Sequence, residues 1–423
     1  MPGHQPFRDS FYSRVLVTAR RPARPFDPLL RMRYNCGYSH KGGRTAVSEG
    51  LRGQLRYKRV VVKAGTAILT GGTDYLDREA MSGLVRQIAG LHSTGGEVIL
   101  LTSGAMATGG HILGISHRMR DIPFRQVLSA VGQSRLMQIY EELFEPHGIH
   151  VAQALLTRSA LSDRLGYLNV RNTLLALLQM RVVPIINEND VVAVEEIGEK
   201  FGDNDRLSAL VANIVDADLL AILTDTEGLY TADPHVDAAA TLVRRVDSID
   251  ESVEALASKR HTDYSQGGMP TKLEAARLAT SSGIPTVICS GRESDVVLRL
   301  ARGEEIGTLF TASASRMESR KRWMLSGLSA RGEMRVDDGA VRALTENNSS
   351  LLPAGVKEVR GEFQRGDTVY IADARGKRLA CGIASYGSGD VSRIKGLHSD
   401  EVHDVLGYYY GAEVVHRNNL VLL

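Results

Sequence analysis

Two lysines stand where they could handle phosphate. Lys63 ends the run Arg59-Val60-Val61-Val62-Lys63 and is followed by Ala64-Gly65-Thr66-Ala67, which reads as a tight turn. Lys272 ends the segment Ser265-Gln266-Gly267-Gly268-Met269-Pro270-Thr271-Lys272, directly before a helix over 273–282. A glycine after a strand lets backbone N–H groups approach phosphate oxygens, and a lysine adds a point charge. Two glycines before a helix also suit an anion, because the free N–H groups and the macrodipole both favour it. A cation at a helix start is locally unfavourable unless an anion is bound nearby. The GxxxxGK[ST] spacing of a Walker A loop is absent.

Carboxylates and amides gather at other strand ends. Val182, Val183, Ile185 and Ile186 read as a buried strand ending in Asn187, Glu188, Asn189 and Asp190. Gly202, Asp203, Asn204 and Asp205 follow about a dozen residues later, directly before an apolar-periodic helix. Thr102-Ser103-Gly104-Ala105 follows the strand 97–101, and Thr224-Asp225 follows the strand 219–223. Each cluster alone is open to a blander reading, since Asn, Asp, Ser and Gly also make turns and helix caps. Together they lie on one sheet edge, where open α/β sheets bind ligands.

No Ser–His–Asp arrangement is visible, and none of the 12 histidines has a metal-binding spacing such as HExxH. No metal ligand is assigned. Phosphoryl transfer remains, a reaction in which positioning and cationic groups do most of the work. A carboxylate acceptor needs no general base, because it is already ionised at neutral pH. Asp and Asn in the acceptor pocket would pair with an α-ammonium group.

The elements that must position these residues alternate regularly. Strands are expected at 59–63, 97–101, 151–156, 219–223 and 286–290, besides the central one. Helices are expected at 76–90, 126–147, 169–179, 248–257 and 273–282, on apolar periodicity. The alternation implies an α/β fold, a largely parallel sheet covered on both faces. From about residue 331 the strands shorten and turn residues multiply, as in a small mostly-β domain. The expected organisation is an Arg-rich extension over 1–55, an α/β domain over 56–313, a linker over 314–330, a β domain over 331–413 and a last strand over 414–423.

At 423 residues the chain exceeds one ordinary domain. It has 43% apolar and 24% charged residues, in the range of globular proteins. No apolar run reaches membrane-spanning length. A net charge of +2 argues against a general nucleic-acid binder. Cys36, Cys289 and Cys381 are far apart, which suggests a reducing compartment and no disulfide framework. The first 55 residues carry many arginines and few acids. Three readings of them stay open: a disordered extension, a start assigned too far upstream, or a transit peptide.

The segments VVVKAGTAILTGG, LLTSGAMATGG, LSAVGQSRLMQIYEELF, INENDVVA, GDNDRLSAL, LTDTEGLYTADP and GGMPTKLEAA occur in that order. With them, residues 57–310 resemble the amino-acid kinase superfamily. INEND followed by GDND is similar to its branch that phosphorylates the γ-carboxylate of L-glutamate with ATP, the first step of proline biosynthesis. The segment SSLLPAGVKEVRGEFQRGD resembles part of a PUA domain.

The resemblance implies roles. Lys63 and Lys272 would act on the transferring phosphoryl group, and Asp205 would hold both lysines. Ser103, Asp190 and Asn204 would bind glutamate, with Asp203 supporting them. ATP would lie against Lys63, Gly65, Thr224, Asp225, Gln266, Gly267, Gly268, Met269, Pro270, Thr271 and Lys272, with Mg2+ bridging its phosphates. Members of the family are cytoplasmic homo-oligomers, often inhibited by proline. Gln266 replaces the family's usual threonine, Pro270 stiffens the same loop, and Ala64 replaces a commoner Leu or Ile. The rival readings keep the fold and change the acceptor to acetylglutamate, aspartate or uridylate, or make the tail an RNA binder. Residues 331–423 hold 12 Lys and Arg against 13 Asp and Glu, which disfavours RNA.

Overall fold

The computed structural model describes residues 55–423 except 74, 116–120, 194–203, 235, 238, 259–267, 313–329 and 348. The Arg-rich segment before residue 55 and the linker expected over 314–330 therefore lie outside the described residues, save Ala330.

Strands β1 (Arg59–Ala64), β2 (Glu97–Leu101), β3 (Val151–Leu156), β4 (Val183–Glu188), β5 (Leu219–Thr224), β6 (Arg245–Val246), β7 (Thr286–Ser290) and β8 (Thr308–Phe310) form one sheet. Their order is β3-β4-β2-β1-β5-β7-β8-β6. Pairing is parallel from β3 through to β7. β8 then runs antiparallel to β7, and β6 parallel to β8. The largely parallel α/β expectation holds. The reversed edge comes from two strands of two and three residues, too short to show a period in the sequence.

Among the described residues the helices of this domain are α1 (Thr66–Leu69), α2 (Arg78–Ser93), α3 (Ala105–Ile112), α4 (Ile122–Phe144), α5 (Arg158–Ser162), α6 (Arg164–Gln179), α7 (Asn204–Ile214), α8 (Glu251–Ser258), α9 (Met269–Ser281) and α10 (Val296–Ala301). The turn expected after β1 is thus the helical turn α1, capped by Gly65 in extended conformation. Asp77, Asp121 and Asp163 cap α2, α4 and α6, each accepting from backbone N–H groups of the first turn.

Side-chain alternation divides the strands between two cores. Val60, Val62, Val98 and Leu100 pack with α2, α4 and α10 on one face. Val61, Ile99, Leu101 and Ile186 pack with α6, α7 and α9 on the other. A strand buried on both faces therefore reads as an unbroken apolar run. The same alternation aims the strand ends. Lys63 shares a face with Val61, hence with α7 and α9. Asn187 shares a face with Val183 and Ile185, hence with α4.

The second domain has its own sheet: β9 (Gly332–Val336), β10 (Val356–Gly361), β11 (Thr368–Ala372), β12 (Arg378–Ile383) and β13 (Leu420–Leu422), in the order β10-β9-β11-β12-β13. Met334, Val369, Ile371, Tyr386 and Val415 belong to its core. The last strand pairs antiparallel with β12, so it is integral to this sheet. Arg365 Nη1 donates to Asn169 Oδ1 of α6 at 2.7 Å. Among the described residues no helix is long and apolar enough to cross a membrane.

Helices α3 and α4 cross with their backbones in contact. A Cβ added at Gly132 would lie inside the van der Waals shells of Ala105 O and Gly109 N, and one at Gly109 inside that of Leu128 O. Neither neighbour is a flexible side-chain tip, so the helices would have to part. Gly132→Ala is expected to destabilise the protein by about 2–3 kcal/mol, the usual scale of overpacking. Urea unfolding of the variant beside wild type measures it.

Candidate active site

The strand order turns at β1: β2, β4 and β3 extend the sheet to one side, β5 and β7 to the other. Ligands of open α/β sheets bind at such a point, beyond the carboxyl ends of the strands. Lys63, Thr102, Asn187 and Thr224 stand at or just past the ends of the four adjacent strands β1, β2, β4 and β5.

Asp205 lies at the centre. It sits in the first turn of α7 and is fully buried. Lys63 Nζ lies 2.5 Å from its Oδ1, and Lys272 Nζ lies 3.4 Å from its Oδ2. Both lysines are themselves buried. The Thr271 hydroxyl reaches the same Oδ2 at 2.9 Å and Gly268 O at 2.8 Å. Burial works against the charge on Asp205. The two ammonium groups and the hydrogen bonds outweigh it and hold the carboxyl well below the usual range. One carboxylate between two ammonium groups leaves a net charge of +1. That surplus, at the amino-terminal end of α9, suits a polyanion.

Gly65 and Thr224 flank Lys63. Gly65 N donates to Leu223 O at 3.4 Å, and a Cβ at Gly65 would lie 3.8 Å from Lys63 Nζ. Thr224 is buried, and its Oγ1 donates to Asp225 Oδ1 at 3.0 Å. At the start of α9, Gly268 is the cap and Pro270 is exposed. The Met269 side chain packs into the core with Leu273. Gln266, Gly267 and Asp203 lie outside the described residues.

A second group adjoins the lysines. Gly104 turns the chain from β2 into α3 at φ 95°, which sets Ser103 at the edge. Asn204 Nδ2 donates to Thr102 O at 2.7 Å and to Asn187 Oδ1 at 2.8 Å, and lies 3.3 Å from Ser103 Oγ. Asn187 Nδ2 donates to Gln133 Oε1 at 2.8 Å. Ser129 donates to Asp190 Oδ2, and Gln126 Nε2 donates to Asp190 O at 3.0 Å. Three buried atoms here make no hydrogen bond: Asp190 Oδ1, Asn204 Oδ1 and Gln133 Nε2. Burial pushes the Asp190 carboxyl up, against the opposing effects of Ser129 and Arg125.

Ser129 and Gln133 are the residues that the sequence reading missed. The buried stripe of α4 runs Ser129, Gly132, Gln133, Leu136, Tyr140, Phe144. It is apolar where it crosses the sheet and polar where it passes the strand ends. Tyr140 fixes the crossing through a 2.7 Å hydrogen bond between its hydroxyl and Thr102 Oγ1. Two polar residues four apart on an apolar stripe were the available signal.

The amino acid kinase family model matches residues 58–290, and the PUA domain model matches residues 332–406. Together with the fold and the strand-end site, this match means that the chain belongs to the amino acid kinase family. It is 56% identical over 368 residues to a glutamate 5-kinase of Dehalococcoides mccartyi (strain CBDB1), covering 87% of this chain and 99% of that one. It is 50% identical over 365 residues to a glutamate 5-kinase of Herpetosiphon aurantiacus, covering 86% and 98%. With a glutamate 5-kinase of Shewanella halifaxensis the identity is 49% over 370 residues, covering 88% and 99%. Within the family, the chain belongs with the glutamate 5-kinases that these relatives represent.

Burial disfavours the charged form of Asp190. Asp190→Asn keeps the acceptor for Ser129 and removes that charge. It is expected to raise the thermal midpoint of the ligand-free protein at neutral pH. Because the folded pKa lies above the unfolded one, the gain is full above the folded value. It disappears once pH falls below the ordinary aspartate range. Melting curves of both proteins across that range check the sign.

Proposed function

We propose that this chain transfers the γ-phosphoryl group of ATP to the γ-carboxylate of L-glutamate, giving ADP and L-glutamyl 5-phosphate. The observation that carries this reading is the Asp205 carboxylate bridging Lys63 and Lys272, beside two buried acceptors that make no hydrogen bond. The lysine pair suits a phosphoryl group in flight. The acceptors Asp190 Oδ1 and Asn204 Oδ1 suit an α-ammonium group.

In this reading a γ-carboxylate oxygen of glutamate attacks the γ-phosphorus, and the bond to the β,γ-bridging oxygen breaks. No proton need be removed from the acceptor, so the site requires no general base. Lys63 and Lys272 offset the charge that spreads over the phosphoryl oxygens. Asp205 keeps both ammonium groups aimed at that point. Ser103, Asp190 and Asn204 hold glutamate, and Asp203 supports them. Thr224, Asp225, Gly65 and the segment from Gln266 to Lys272 line the nucleotide.

Both Asp205 oxygens face ammonium groups, and among the described residues no cluster of three His, Cys, Asp or Glu could hold a metal ion. Asp225, an exposed carboxylate just past the end of β5, would hold a Mg2+ ion that arrives with ATP. Such an ion would supply further neutralisation of phosphate charge.

The test is ADP release with ATP and Mg2+, trapping the acyl phosphate with hydroxylamine. Hydroxamate is expected with L-glutamate and not with N-acetylglutamate, aspartate or uridylate. Lys272→Ala is expected to lower kcat by about 100-fold or more. Turnover with another acceptor in place of glutamate would contradict the acceptor assignment.

A further inference from the structure

A chain of amides fixes which atom Gln133 presents to the acceptor pocket. Thr102 O is a backbone carbonyl and can only accept, so the Asn204 atom 2.7 Å from it is the amide nitrogen. That nitrogen also donates to Asn187, so the Asn187 atom 2.8 Å away is the oxygen. The backbone N–H of Glu188 confirms this by donating to the same atom at 3.0 Å. The other terminal atom of Asn187 is then its nitrogen, and the Gln133 atom 2.8 Å from it is the oxygen. What remains on Gln133 is Nε2, an obligate donor. It is buried, on a residue 8% exposed, and makes no hydrogen bond. A flip of any one amide would set donor against donor or acceptor against acceptor along the chain.

A buried donor without a partner costs about as much as a lost hydrogen bond, so it is an uncommon thing to keep. Its neighbourhood says what would satisfy it. Ser129, one turn earlier on α4, holds Asp190, whose Oδ1 is also without a hydrogen bond. Asn204 Oδ1, at the far end of the amide chain, is the third such atom. Two acceptors and one donor complement the head of a free α-amino acid, the acceptors taking its ammonium and the donor its carboxylate. The γ-carboxylate is committed to the lysines, and a donor-only atom cannot bind an ammonium.

We infer that Gln133 Nε2 donates to the α-carboxylate of the acceptor amino acid and is a determinant of specificity for a free α-carboxylate. This rests on the acceptor reading given under Proposed function. As a neutral amide, Gln133 recognises the α-carboxylate without adding a cation that would compete with the lysine pair for the γ-carboxylate.

Binding of L-glutamate and of L-isoglutamine, in which a carboxamide replaces the α-carboxylate, is measured by calorimetry. The proteins are full-length wild type, Gln133→Glu and Gln133→Leu. Gln133→Glu keeps side-chain volume and the acceptor that Asn187 needs, while placing a negative charge against the α-carboxylate. Wild type is expected to prefer L-glutamate. Both variants are expected to lower that preference by about tenfold or more, the usual scale for a hydrogen bond to a charged group. KM for ATP should stay within about twofold of wild type. An unchanged preference in Gln133→Glu, whatever its absolute affinities, would overturn the role of Gln133 alone. Absence of L-glutamate binding to wild type would overturn the acceptor reading, and this inference with it.

Discussion

Two buried lysines converge on one point, and Asp205 is what makes that possible. Without a counter-charge, each lysine would be driven to neutralise or to swing out to water, because a buried unpaired charge is costly. With Asp205 between them, at the positive end of α7, each ammonium has a buried counter-charge, and the formal charge of the cluster is +1. The fold is arranged around that pairing. β1 delivers Lys63 on the face of Val61, α9 delivers Lys272 from its first turn, and α7 brings Asp205 between them. The Thr271 hydroxyl ties the start of α9 to the same carboxylate. The three elements therefore cannot shift independently.

The neighbouring pocket follows an opposite rule. The lysine cluster is locally satisfied, whereas the pocket under α4 keeps three buried polar atoms without hydrogen bonds. The amide chain from Thr102 through Asn204 and Asn187 to Gln133 gives those atoms fixed identities before any ligand arrives. That is preorganisation at a cost in stability, the usual exchange at functional sites. The raised carboxyl of Asp190 is one part of that cost, and its burial is the cause.

Much of this was legible in the sequence. Unbroken apolar runs ending in polar clusters located six strands of the parallel part of the sheet and the edge where Lys63, Ser103, Asp190, Asn204, Asp205, Thr224 and Lys272 gather. What was not legible depended on three-dimensional crossing. Ser129 and Gln133 belong to a helix whose apolar period marks it as core, and only the angle at which α4 passes the strand ends makes two of its positions part of a site. Helix α3, with two adjacent glycines, carries little helical signal of its own and is held by its backbone contact with α4. Met269 sits in a segment that reads as a phosphate loop, yet its side chain belongs to the core under α9.

The most direct test of the central claim is a crystal structure of the full chain with Mg2+, a non-hydrolysable ATP analogue and L-glutamate. The γ-phosphate is expected between the Nζ atoms of Lys63 and Lys272, with both lysines still paired to Asp205 and the γ-carboxylate of glutamate facing the phosphorus. A γ-phosphate bound away from either lysine, or an Asp205 carboxylate turned off the lysines to coordinate the metal, would contradict it.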